Sequence, residues 1–229
     1  ASNFDGSIQS TVKANPEAGF SIVSYTATGS NLTVGHGLNA TPAVIITKDR
    51  SAAKDWLVMH ESIGVTRFLK LNENQAQAGP YTNVFTSVST TTFGTGDDAG
   101  INTNGNNRIA YCFSPVAGYS AVGSYTANGS SDGPFVETGF AVAWLMTKRT
   151  NTTGSWEIHD LRRPGYNPQD GRLFPDSGAA DGTGNDVDLL SNGFKIRNSF
   201  SGMNGSSGDT YIYLAFASNP FSSNGGLAR

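Results

Sequence analysis

The sequence predicts an all-β protein made of two tandem homologous β-sandwich domains of jelly-roll-like type. Three observations carry that expectation. Charged residues are 14% of the chain, aromatics 10%, and glycine numbers 28, whereas a disordered chain combines high charge with few aromatics. Short apolar runs alternate with turns rich in Gly, Asn, Ser and Thr, and no long helical period interrupts them. Lastly, "GFSIVSYTATGS" (19–30) returns as "GYSAVGSYTANGS" (118–130), and self-similarity at a fixed spacing marks duplicated units.

The repeat keeps register along the chain. Tyr25 answers Tyr125 at an offset of 100, Lys48 of "PAVIITK" answers Lys148 of "VAWLMTK", and Trp56 answers Trp156. Asn104-Gly105 is matched with Asn204-Gly205, and the offset then reaches 103, pairing "IAYCFS" (109–114) with "IYLAFA" (212–217). Two homologous halves follow, at 19–117 and 118–221. Residues 1–18 have no counterpart and are expected to be a linker or clamp, and 222–229 a C-terminal tail.

Each half reads as the same series of strands. The first (21–26; 120–126) ends in a Gly-Ser turn. The second (43–47; 141–147) is nearly continuously apolar, as in a strand covered on both faces. Alternation in Trp156-Glu157-Ile158-His159 predicts a half-buried strand with Trp156 and Ile158 inward. Segments 67–72 and 172–176, then "TTFGTG" (91–96) and "NGFKIRNS" (192–199), supply two more. The β-prone "RIAYCF" and "TYIYLAF" close the halves. Just upstream, the Asn-Gly pairs suit hairpin turns that need positive φ.

Composition narrows the function classes. A net charge of −3 argues against nucleic acid, which requires a concentrated basic surface. No apolar run approaches the length of a membrane helix. Cys112 is the sole cysteine, so no intramolecular disulfide forms and folding in a reducing cytoplasm is expected. The chain opens on Ala1, which points to processing or to excision from a longer chain.

The search for catalytic chemistry favours structural readings. Gly129–Gly133 fits the letters G-x-S-x-G, but a nucleophile elbow joins a strand to a helix, and a polar turn is expected here. His36, His60 and His159 lack metal-ligand spacing. Cys112 aligns with Ala215, as a small buried residue would. Trp56 and Trp156 each open a strand, which suits packing better than sugar stacking. The acidic stretches 94–107 and 181–188 offer oxygen ligands without the order of a calcium loop; polar loops and no cofactor are expected, with calcium the alternative. No pair of glycosidase carboxylates can be singled out.

One asymmetry stands out. The second half carries extra residues after Asp160, in "DLRRPGYNPQDGRL" (160–173). This insertion holds Arg162, Arg163, Tyr166, Asn167 and Asp170, with Pro164 and Pro168 stiffening it. Arg and Tyr are favoured at recognition surfaces, and prolines lower the ordering cost of binding. These five residues are the candidate binding set.

From Phe4 to Phe221, and most distinctively in "DGPFVETGF" (132–140) and "LSNGFKIR" (190–197), the chain resembles a domain of unknown function. That domain recurs in virion structural and predicted tail-fibre proteins of marine tailed phages. The resemblance implies a non-enzymatic virion component assembled in the host cytoplasm. It also implies contacts with other virion proteins and a homo-oligomer, a trimer by preference, as fibres commonly form. A tail-fibre module contacting host-surface glycan is the leading expectation. The alternatives are a capsid decoration protein or head fibre, or a lectin or carbohydrate-active enzyme.

Overall fold

The computed structural model describes residues 1–163 and 167–219. Among them the regular structure is β-strand, apart from one 3-10 turn at Glu61–Ile63. No helix is long and apolar enough to cross a membrane. The chain divides into two compact units: Ala1–Leu71 with Gln77–Pro115, and Asn72–Ala76 with the chain from Val116 onward.

The first unit contains β1 (Ser2–Asn3), β2 (Ser10–Asn15), β3 (Phe20–Thr26), β4 (Leu32–Gly35) and β5 (Val44–Asp49). It continues with β6 (Leu57–His60), β7 (Leu69–Lys70), β8 (Phe85–Val88), β9 (Thr92–Thr95) and β10 (Asn107–Phe113). One sheet runs β1-β2-β3-β10-β5-β6-β7 and the other β4-β9-β8. Alternation along β3 buries Ser21, Val23 and Tyr25. Val23, Ile45, Met59 and Cys112 from the large sheet meet Val34, Phe85 and Phe93 from the small one in a single core. Burial pushes the Cys112 thiol far above its ordinary range, so the thiolate is not formed there.

The second unit contains β11 (Ser120–Thr126), β12 (Phe135–Glu137), β13 (Val142–Arg149) and β14 (Trp156–Asp160). After these come β15 (Gln169–Arg172), β16 (Gly182–Leu189), β17 (Gly193–Ile196) and β18 (Thr210–Ala217). Its sheets run β11-β18-β13-β14 and β12-β17-β16-β15. The order β11-β18-β13-β14 repeats the β3-β10-β5-β6 part of the first unit's large sheet. Tyr125 meets Phe194 edge-on at 5.9 Å, as Tyr25 meets Phe93 at 6.0 Å. Asn72–Ala76 belongs to this unit because Lys148 Nζ donates to the carbonyls of Asn74 and Gln75 and Gly154 N–H donates to Asn74. Burial pushes the Lys148 ammonium down to about 8.

The repeated "GS" turns share one device. Gly29 and Gly129 take φ of 76° and 68°, the left-handed region open to glycine. Each turn is pinned by a buried asparagine. Asn102 Oδ1 accepts from the N–H groups of Thr28 and Gly29, and Asn204 Oδ1 from those of Asn128 and Gly129. The counterpart of Asn204 is therefore Asn102, not Asn104. Gly105 instead matches Gly208, both at positive φ and both donating to the alanine after the first strand, Ala27 or Ala127.

Three further expectations change. Residues 1–18 are not a linker: β2 pairs with β3, and Ile8, Val12 and Ala14 pack on the core. The acidic stretch 181–188 is not a loop but most of β16, because Val187 and Leu189 alternate into the core. Trp156 is buried as expected and Ile158 half-buried, but Glu157 and His159 are the pair that face the opposite sheet of their unit, where Asp186 and Arg172 receive them.

Candidate functional site

The insertion leaves β14 at Asp160. Its Oδ1 accepts the N–H groups of Arg162 and Arg163 at 2.8 and 3.2 Å, and its Oδ2 accepts Arg163 Nε at 2.8 Å. Burial raises the Asp160 carboxyl, but these bonds outweigh it and hold the group below its usual range. Arg163 also donates to the Ile158 carbonyl and pairs with Asp181. Its charge is committed to shaping the loop.

Asn167 and Asp170 are structural as well. Asn167 exchanges two side-chain bonds with the Leu189 backbone, at 2.9 and 3.0 Å, prolonging the β15–β16 pairing. Asp170 Oδ1 accepts Gly184 N–H at 2.7 Å. Tyr166, the remaining candidate, lies outside the described residues, as do Pro164 and Gly165.

Arg162 differs from these. It is exposed, and its guanidinium makes no hydrogen bond or ion pair among the described residues. It lines a cleft of about 520 Å³ with Leu161, Asn167, Gln169, Ser218 and Asn219. That volume suits a small ligand or one or two sugar rings, and the lining mixes amides and a hydroxyl with one apolar wall. The sequence candidates thus converge only in part: Arg162 and Asn167 share the cleft, Arg163 and Asp170 brace it.

A second cleft, also about 520 Å³, is lined by Asn128, Gly129, Arg149, Ser199, Ser201 and Ser206. Arg149 there is taken by Asp209. The G-x-S-x-G letters fall on the adjoining turn, closed by Asp132 N–H donating to Ser130 Oγ at 3.1 Å.

A third arrangement was not foreseen. Glu157, His159 and Asp186 are 1%, 0% and 1% exposed between the sheets of the second unit. Arg172 Nη1 donates to Asp186 Oδ2 at 2.6 Å, Asn198 Nδ2 donates to Asp186 Oδ1, and His159 Nε2 lies 3.6 Å from Asp186 Oδ2. Arg172 Nε is 3.7 Å from Glu157 Oε2, and its guanidinium stacks 4.1 Å from the Phe200 ring. Burial raises the Glu157 carboxyl to about 8, with Arg172 opposing and Asp186 adding to the rise. Burial thus favours the neutral form of Glu157, while Arg172 is held against Asp186 by a direct hydrogen bond.

Two carboxylates converge here, as an acid–base enzyme requires, but they are enclosed and face an arginine. Among the described residues, no group of three or more His, Cys, Asp or Glu side chains is placed to hold a metal ion. The repeat offered a signal for this cluster, since Glu157 and His159 align with Leu57 and Met59.

No curated protein and no solved structure matches the chain. Residues 1–220 match the family described as "Domain of unknown function (DUF7483)", and the chain belongs to that family.

Proposed function

We propose that the chain is a non-enzymatic structural component of a phage virion, a tail-fibre module that assembles with other virion proteins and binds host-surface glycan. Two sandwiches of one strand order, read as a duplication, provide the scaffold, and the insertion of the second provides the binding surface. The observation that carries the reading is the cleft beside β14 and β15. It presents an arginine that is uncommitted among the described residues, three amides and a hydroxyl on a rim braced by Arg163 and Asp170. Polar side chains held by such bracing match the hydroxyls of a sugar without paying for their own ordering.

A capsid decoration role relies on a free segment to clamp a neighbour. Residues 1–18 are built into the first sheet, which removes one support for that alternative. The test is a glycan array probed with the full chain and with Arg162→Ala. Binding to a defined set of glycans that falls about tenfold or more in the variant, a loss of ~1.4 kcal/mol, is the expected result. No binding to any glycan, or binding untouched by the substitution, overturns the glycan reading.

A further inference from the structure

The two units differ at one sheet edge. In the first, β3 lies between β10 and β2, with Val12 opposite Val23 and Lys13 opposite Ile22. Its counterpart β11 pairs with β18 along seven residues and is the outermost strand of its sheet. Among the described residues no strand takes the place of β2 beside it. At its start Val116 bridges Ser120, whose N–H donates to the Val116 carbonyl; beyond that residue the outward backbone groups of β11 are open to pairing.

Other edges of the chain are blunted in the ways that oppose such pairing. Charges sit on β14 (Glu157, Asp160), β12 (Glu137), β15 (Asp170, Arg172) and β7 (Lys70). The register of β8 shifts between Phe85 and Ser87. On β4, the Ile8–Val34 bridge and the reciprocal Ser7–Thr33 bonds cover the edge, and β1 is two residues long.

By contrast, β11 reads "SAVGSYT", with no charge, no proline and no break in register. Gly123 would weaken an isolated edge strand, but the Tyr213 ring lies across it. A Cβ at Gly123 would come within 2.8 Å of Tyr213 Oη. An aromatic ring over an edge glycine keeps the strand regular. Ala121, Val122 and Gly123 are half-buried and Ser124 is exposed, so the edge is reachable.

We infer that β11 is an assembly edge, pairing antiparallel with β11 of a second copy of this chain across a twofold axis at Gly123. An uncharged, regular strand is complementary to another of the same kind. Among the described edges of this chain, β11 alone meets that description, over Ala121–Tyr125 between the Val116–Ser120 bridge and the strand end. In this register Ala121 of one copy lies opposite Tyr125 of the other on the core face, and Val122 opposite Ser124 on the outer face. Two four-stranded sheets become one of eight, closed by an isologous contact. The contact is independent of the glycan reading and replaces a threefold with a twofold at this surface.

The test is light scattering on the full chain over a concentration series, with Ser124→Lys alongside. The wild type is expected at the mass of two chains, falling to one on dilution. Ser124→Lys is expected at one chain throughout, with unchanged thermal unfolding because Ser124 is exposed. As a second measurement, oxidation of Val122→Cys/Ser124→Cys is expected to link two copies covalently. A wild type that stays at one chain, or an assembly whose mass Ser124→Lys leaves unmoved, overturns the proposal.

Discussion

The two units build one strand order around different interiors. Leu57 and Met59 on β6 and Val84 before β8 are buried in the first core. By register their counterparts in the second unit are Glu157, His159 and Asp186. Three apolar side chains are thus replaced by three ionisable ones, with Arg172 brought in from β15 to balance them. Burying such groups costs several kcal/mol per ion before pairing offsets it, so the second core gives up stability that the first retains. The comparison teaches that the frame is carried by what the units share: the Tyr–Phe contact between sheets and the asparagine-pinned turn.

A second contrast lies two residues along β5 and β13 from the partners of Leu57 and Glu157. In the first unit Asp49 accepts from Arg108 Nη1 at 3.2 Å and from Asn106 Nδ2 at 2.8 Å. In the second, Arg149 occupies the position of Asp49 and pairs with Asp209 in the position of Asn106. Tyr211 stands where Arg108 does and stacks on Tyr125 at 5.1 Å. The polarity of the pair is reversed while its place in the fold is kept. Both units thus carry an ion pair at this corner, with the charges exchanged.

The largest way to break the comparison is Arg172→Met. It leaves Asp186 buried without its cation, and loss of ~3–5 kcal/mol from the second unit is expected. Peptide-resolved hydrogen exchange should locate that loss in the second unit and leave the first unchanged.

Next is pH. Glu157 has a folded pKa of about 8 against an ordinary 4.5. A raised carboxyl binds protons more tightly in the folded state, so stability is complete below pH ~4.5 and declines as pH rises towards ~8, by a few kcal/mol at most. Above about 8 the depressed Lys148 works in the opposite direction. Glu157→Gln should flatten the decline in chemical denaturation of the second unit between pH ~5 and ~8.

A smaller effect tests what the units share. Asn102→Ala and Asn204→Ala each orphan two turn N–H groups, and each should cost about 1–3 kcal/mol in denaturant unfolding. Similar losses in both units would sharpen the claim of a common frame; a loss in one alone would break it. The smallest effect on stability is that of Arg162→Ala, within ~0.5 kcal/mol in the same unfolding measurement, since its side chain contacts no described polar group.

Much of the fold was legible because the repeat holds register through strongly apolar anchors such as 43–47 and 141–147. The strands β8 and β16 were not read as strands, since Asp186 and Asp188 make the latter resemble a polar loop. Residues 10–15 alternate in a way that suits β2, but without a repeat partner they read as a linker. At the cleft, Arg162 and Asn167 were visible as part of an insertion. The buried cluster was hidden by the rule that apolar residues point inward. Glu157 and His159 face the core only because Asp186 and Arg172, distant in sequence, meet them there.

The most direct test of the account replaces the second interior with the first. In Glu157→Leu/His159→Met/Asp186→Val/Arg172→Met, calorimetric unfolding is followed from pH ~5 to ~8 beside the wild type. The account predicts a folded second unit of equal or higher stability, whose unfolding no longer weakens as pH rises. A variant that fails to fold, or that keeps the wild-type pH dependence, would contradict it.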